Sequence, residues 1–275
     1  AAFADCPSLT GIVIPAMTTK IGCKAFSGCS SLTRVTIPDT VTEIGEYAFS
    51  CCTNLTAMVI PNGVTEISDG VFSRCNNLTN ITVDDANTAY CSEDNILYTK
   101  DKKKVIAAAG VLKGHIVLSN SVTEIGKDAF AGCTGLAHIT ISNSMTAISE
   151  SAFSGCTGLT SIVIPSTVTK IEEYVFSGCS SLTGVTIPDS VTELGNGAFY
   201  GCTSLTSIVI PDSVTEIGDN TFYDCTGLTS IVIPNTVTKI GAAAFAGCTG
   251  LTSIVIPDSV TEIGLFAFGS CTGLT

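Results

Sequence analysis

A solenoid of stacked coils is the fold class this sequence predicts, and three observations predict it. The chain repeats itself at a period of 23: LTSIVIPDSVTEIG runs from Leu205 to Gly218 and, letter for letter, from Leu251 to Gly264. Single columns keep the same period. Leucine recurs from Leu9 to Leu78 and again from Leu136 to Leu274, and eleven phenylalanines from Phe3 to Phe268 are each followed three residues later by a cysteine, from Cys6 to Cys271. Third, 45% of the residues are hydrophobic, yet they are spread as stripes, and no apolar run approaches the ~20 residues of a spanning helix. Repetition at a fixed period marks coils that cannot bury an apolar face alone and must stack on their neighbours.

Within one coil the elements follow in order. From leucine to proline the apolar residues stand at offsets 0, 3 and 5 with β-branched residues dominant, as in Leu205, Ile208 and Ile210, and Pro211 then withdraws an N–H from the ladder. That predicts a short strand with a firm stop. The V-T-x-I-G stretch places two apolar residues three apart around a polar pair and ends on glycine, which predicts a second extended segment and a tight corner. In the last stretch, such as Asp219 to Cys225, Phe and Cys are three apart, the spacing of one face of a helical turn. Eleven such coils are expected to stack as a single solenoid over residues 1–275, with Leu, Ile, Val, Phe and Cys forming the shared apolar column.

One segment breaks the period. From Leu78 to Lys113 is 35 residues, and residues 84–110 lack both the Phe and the Cys of the standard columns. This stretch predicts an inserted β-hairpin, with strands at Ile96 to Thr99 and Lys104 to Ala108 and a polar turn between them. It carries Lys100, Lys102, Lys103 and Lys104, and Lys113 follows close behind, five of the twelve basic residues. The cluster is either a docking element or an edge protected from unwanted strand pairing.

Eleven of the fourteen cysteines fill one column. Their side chains run parallel toward the core, so they are expected to be buried thiols rather than a disulfide ladder. Cys23, Cys51 and Cys91 lie outside the column and leave room for one incidental bridge. Zinc needs matched close pairs such as C-x2-C, and the chain has none.

No catalytic motif is present, and no catalytic residue, metal or cofactor is expected. The two histidines, His115 and His138, are 23 apart and should lie on adjacent coils with their rings about 5 Å apart. They could share a metal ion or lower each other's proton affinity, or simply occupy a variable surface column. Twelve basic against twenty-four acidic residues give a net charge of −12, with Glu43, Glu66, Glu124, Glu193, Glu216 and Glu262 in one column. Such a surface disfavours nucleic acid and anionic lipid. Rows of threonine raise ice binding as a rival reading, although β propensity is the ordinary reason for threonine on strands.

The L-x-x-I-x-I-P, V-T-x-I-G and A-F-x-x-C elements of the 23-residue unit resemble the BspA-like subclass of leucine-rich repeats, over nearly the whole chain. The resemblance implies a right-handed solenoid, inserted units with an L-Y-x-K-D signature like Leu97 to Asp101, an extracellular or cell-surface location, and roles in adhesion or partner binding. The chain begins and ends inside a unit with no polar cap, which reads as a portion of a longer surface protein or as ends that stack head to tail.

The expected function is therefore that of an extracellular or cell-surface binding and adhesion module, its partner a protein or glycan of a host or neighbouring cell. Neither nucleic-acid binding nor membrane insertion is expected. A self-associating filament protein is the alternative, and behind it stand ice binding and an enzyme. The candidate binding residues are Arg34, Asn80, His115 and His138 on the strand face, and Lys102, Lys103 and Lys104 on the hairpin.

Overall fold

The computed structural model describes residues 1–275, which divide into two compact units: Ala1–Lys113 with Glu124–Gly135, and Gly114–Thr123 with Leu136–Thr275. Each is a parallel β-solenoid. In the first unit, Gly11–Val13 pairs parallel with Arg34–Thr36, and Ala57–Ile60 with Asn80–Val83, in both cases at a register of one repeat. A second ladder joins Lys20–Ile21, Glu43–Ile44 and Glu66–Ile67. In the second unit the same two ladders run through Ser161–Val163, Ser207–Val209 and Ser230–Val232, and through Lys170–Ile171 with Glu193–Leu194 and Lys239–Ile240 with Glu262–Ile263.

Strand alternation sorts the side chains as the sequence pattern requires. Ile162, Ile208 and Ile231 turn inward and are buried, while the Ser and Val on either side of each turn outward. Threonine locks adjacent coils together. Thr33 Oγ1 donates to Thr10 O at 3.0 Å and Thr229 Oγ1 to Thr206 O at 3.2 Å, one repeat apart each time.

The Phe–Cys stretch departs from expectation, because the chain contains no helix. It is a ladder of turns. Some of its N–H groups close turns within the coil, as Ala25 N to Gly22 O and Cys29 N to Phe26 O, and those between bond the next coil, as Lys24 N to Glu46 O, Phe26 N to Ala48 O and Gly28 N to Ser50 O. A helix cannot form here, since Lys24 (φ 54°) and Gly28 (φ 74°) are left-handed and helix requires a run of negative φ. The exchange is favourable: donors that a helix would satisfy internally instead bind coil to coil.

This ladder carries the phenylalanine column. In the second unit the rings of Phe153, Phe176, Phe199, Phe222, Phe245 and Phe268 stack at 5.3–5.8 Å between centroids, and those from Phe153 to Phe245 are fully buried. The cysteines line the same core, with Cys52 Sγ donating to Phe26 O at 3.1 Å and Cys225 Sγ to Phe199 O at 3.1 Å. Burial pushes the Cys52 and Cys202 thiols up to about 12, and no cysteine is in a disulfide. A thiol reagent should therefore label the native chain at no more than Cys6, Cys23, Cys51 and Cys91, the four that are not buried, and all fourteen after denaturation without reductant. Intact mass checks this, and fewer than fourteen labels on the denatured chain would reveal bridges.

The insertion forms where predicted, with one strand more. Tyr90–Glu93, Ile96–Thr99 and Lys104–Ala108 make an antiparallel meander whose last strand pairs parallel with Glu124–Ile125. Buried Asn87 steers the chain into it: its Nδ2 donates to Pro61 O and Val64 O, and its Oδ1 accepts from Ala89 N and Tyr90 N. Having no Phe–Cys stretch of its own, the inserted coil leaves a gap in the turn ladder, which closes as Arg74 N bonds Ala131 O at 3.0 Å. Tyr47 spans the joint. Its ring covers Gly70, where a Cβ would overlap it, and its hydroxyl donates to Asp128 Oδ2 at 2.7 Å.

Candidate binding surfaces

The strand face of the second unit is the broadest uncharged surface. From Leu159 to Pro165, and again from Leu182, Leu205, Leu228 and Leu251 to the proline that closes each strand, there is no ionisable residue. Val163, Val209, Val232 and Val255 project from it at 71–80% exposure, flanked by Ser161, Ser207, Ser230 and Ser253. Thr186 takes the valine position in the intervening coil through a parallel bridge to both Val163 and Val209. A row of exposed valines in a chain of net charge −12 is a patch that solubility does not explain.

His115 and His138 stand exposed on this unit, but their geometry differs from the expected parallel stack. The rings lie 6.1 Å apart at 82°, edge to face, because each is turned to a hydroxyl. His115 Nε2 meets Thr140 Oγ1 at 2.9 Å and His138 Nδ1 meets Ser161 Oγ at 2.8 Å. No group of three or more His, Cys, Asp or Glu could hold a metal ion. Arg34 and Asn80 are exposed on the strands of the first unit, separated by the coil that carries Ala57.

The hairpin lysines are engaged within the first unit. Lys102 Nζ pairs with Glu93 Oε2 at 2.8 Å, which raises its pKa. Lys104 Nζ pairs with Glu124 at 2.6 Å and Asp69 at 3.6 Å; burial pulls the ammonium down, but the two carboxylates outweigh it and the pKa ends above its ordinary value. Lys100 Nζ donates to Asn87 O at 2.7 Å.

The acidic column is partly neutralised by the lysines that interrupt it. Lys20 pairs with Glu43, Lys170 with Glu193 and Lys239 with Glu262, each across one repeat. Such exposed pairs contribute little stability. Around Lys170, an open groove of about 470 Å3 is lined by Glu150, Glu172, Glu173, Glu193 and Glu216. The structure thus spreads the seven sequence-predicted residues over three surfaces rather than one site. Asn87 and the tyrosines of the second unit escaped sequence reasoning, which followed the repeating columns, because they depart from them, whereas the turn ladder lies on a repeating column whose Phe–Cys spacing fits a helical turn equally well.

A coil built from these columns defines the class. The profile of the BspA type leucine-rich repeat region matches in six copies over residues 1–111, 113–229 and 215–275, and the chain belongs to that family. Its fold is similar to a leucine-rich repeat protein from Eubacterium ventriosum (26% identity, TM-score 0.77, 95% of this chain and 82% of that one). It is also similar to a leucine-rich cell surface protein from Faecalibacterium prausnitzii (38% identity, TM-score 0.77), covering 84% of this chain and 61% of that protein's length. The pneumococcal vaccine antigen PcpA shares the fold at 20% identity, with a TM-score of 0.69 and coverage of 94% and 68%. No curated protein matches the chain.

Proposed function

We propose that the chain is the binding region of an extracellular or cell-surface adhesion protein, and that the strand face of its second unit meets a protein or glycan on a host or neighbouring cell. The observation that carries this reading is the exposed row of Val163, Thr186, Val209, Val232 and Val255 with its serines, on strands that hold no ionisable residue through five consecutive coils. A neutral, flat patch of this kind suits a partner that is desolvated on contact rather than steered by charge. Similarity to the F. prausnitzii surface protein supports the location. Membership of a leucine-rich repeat family supports binding over catalysis.

Val209→Lys with Val232→Lys tests it. Both positions are exposed, so stability should change by no more than about 0.5 kcal/mol each. Capture of extracellular-matrix glycoprotein by the purified chain should fall about tenfold or more, since a lysine would be buried against a neutral partner. Equal capture by parent and variant contradicts the reading. Light scattering in parallel reports self-association, which would explain retention without a matrix partner. The hairpin provides the contrast: reversing Lys102, Lys103 and Lys104 to Glu should leave capture unchanged, and so should raising salt, which shortens the screening length from ~10 Å at 0.1 M to ~3 Å at 1 M. A steep salt response lost in the triple variant would move the site to the hairpin.

A further inference from the structure

The second unit offers an oxidant few electron-rich side chains. The protein has no tryptophan, and in this unit Met145 and every cysteine from Cys156 to Cys271 are buried. Three tyrosines on the turn ladder remain accessible: Tyr174 and Tyr200 at 37% exposure, and Tyr223 partly exposed. Tyr200 and Tyr223 occupy one column a repeat apart, and their rings stack at 4.8 Å with 3° between planes. Tyr174 belongs to another column. Its ring lies over Gly197, where a Cβ would overlap it.

The fold holds the stacked pair from both sides. Beneath it Phe199 and Phe222 stack at 5.6 Å, and along the backbone Phe199 N bonds Thr221 O at 2.9 Å and Gly201 N bonds Tyr223 O at 2.7 Å. Those bonds flank the two tyrosines, so their rings stay one coil apart with little freedom to separate. Such preorganisation turns a chance encounter into an intramolecular step. Oxidation of a phenol by one electron places spin on the ring carbons beside the hydroxyl, and a parallel stack sets those carbons of one ring against the other. The nearest thiols cannot intercept an oxidant from solvent, because Cys202 and Cys225 are fully buried.

We propose that Tyr200 and Tyr223 are a site of oxidative cross-linking, where hydrogen peroxide acting through a peroxidase joins the two rings as dityrosine. Each phenol gives up one electron and its hydroxyl proton, and the two radicals form a bond between one Cε of each ring. The hydrogens on those carbons then move to the oxygens and restore both phenols. Peroxide takes up the two electrons and two protons, its O–O bond breaks, and two waters result. The link ties adjacent coils across an interface that the inward cysteines do not bridge, reinforcing one of the nearest-neighbour terms on which a repeat array depends.

The test treats the dilute full chain with a haem peroxidase and limiting hydrogen peroxide, after Cys6, Cys23, Cys51 and Cys91, the four unburied thiols, have been capped so that they do not consume the oxidant. Monomer is isolated and read by dityrosine emission, by an intact mass lower by two hydrogen atoms, and by peptide mapping. The map should join Tyr200 to Tyr223, with a yield independent of protein concentration. Tyr200→Phe and Tyr223→Phe keep a ring in the stack but remove a phenol, and each should lower monomer dityrosine about tenfold or more because no preorganised pair remains. Tyr174→Phe should leave it unchanged. Dityrosine absent from the monomer, formed only between molecules, mapped to another pair, or undiminished in either of the two stack variants overturns the proposal.

Discussion

Phe199→Ala should lower stability by about 3–5 kcal/mol, the cost of emptying a large, fully buried ring site. The ring lies between Phe176 at 5.4 Å and Phe222 at 5.6 Å, so its removal strips a stacking partner from both neighbours. Those neighbours cannot close the gap freely. Their backbones are held one repeat apart, with Phe176 N bonded to Ala198 O and Phe199 N to Thr221 O. Because the stability of a repeat array is close to a sum of nearest-neighbour terms, the loss should also break cooperativity around this coil, and the thermal transition should broaden or split. Calorimetry of parent and variant reads both effects, and a sharp transition at the parental temperature would mean that the ring is not buried.

Gly110→Ala should cost about 1–3 kcal/mol, from overpacking rather than a cavity. Gly110 is buried where the inserted coil rejoins the stack, and a Cβ there would overlap Cys75 O and lie 2.7 Å from Asn76 Cα. Both obstacles are backbone, so no side-chain rotation relieves the contact. The backbone could move away only by straining Val111 N to Leu78 O and Ala109 N to Asn95 O, the bonds that seat the insertion. The effect should be local: hydrogen exchange should quicken in Tyr90–Glu93 and Lys104–Ala108 before the Ser207–Val209 strand responds. An unchanged melting temperature with parental exchange in the meander would contradict this packing.

Much of the fold was legible because a strict period fixes both the neighbours and the inward columns. The leucine-to-proline pattern placed Ile208 inside and Val209 outside, and the hairpin strands at Ile96 to Thr99 and Lys104 to Ala108 form at the predicted residues. The helical turn failed for a physical reason. Phe and Cys three apart fit a helix and a turn ladder equally well, and the deciding left-handed positions are often held by residues such as Lys24, Tyr47 and Tyr174, which announce no such conformation. The binding surfaces were less legible. That His115 and His138 share a column followed from the period, whereas their edge-to-face geometry depends on hydroxyls of neighbouring coils. The Lys102 and Lys104 partners, Glu93, Asp69 and Glu124, are brought in by the meander and by coils on either side of it.

Hydroxyl-radical footprinting, read by mass spectrometry on the chain alone and in the presence of extracellular-matrix glycoprotein, tests the proposed strand-face assignment most directly. In the free chain Val163, Val209 and Val232 should be oxidised and buried Ile162, Ile208 and Ile231 should not, as their exposures require. On binding, oxidation of the three valines should fall severalfold while the hairpin residues around Lys102 keep their free-state reactivity. Protection confined to the hairpin, with the valines still oxidised at the free rate, would contradict the account.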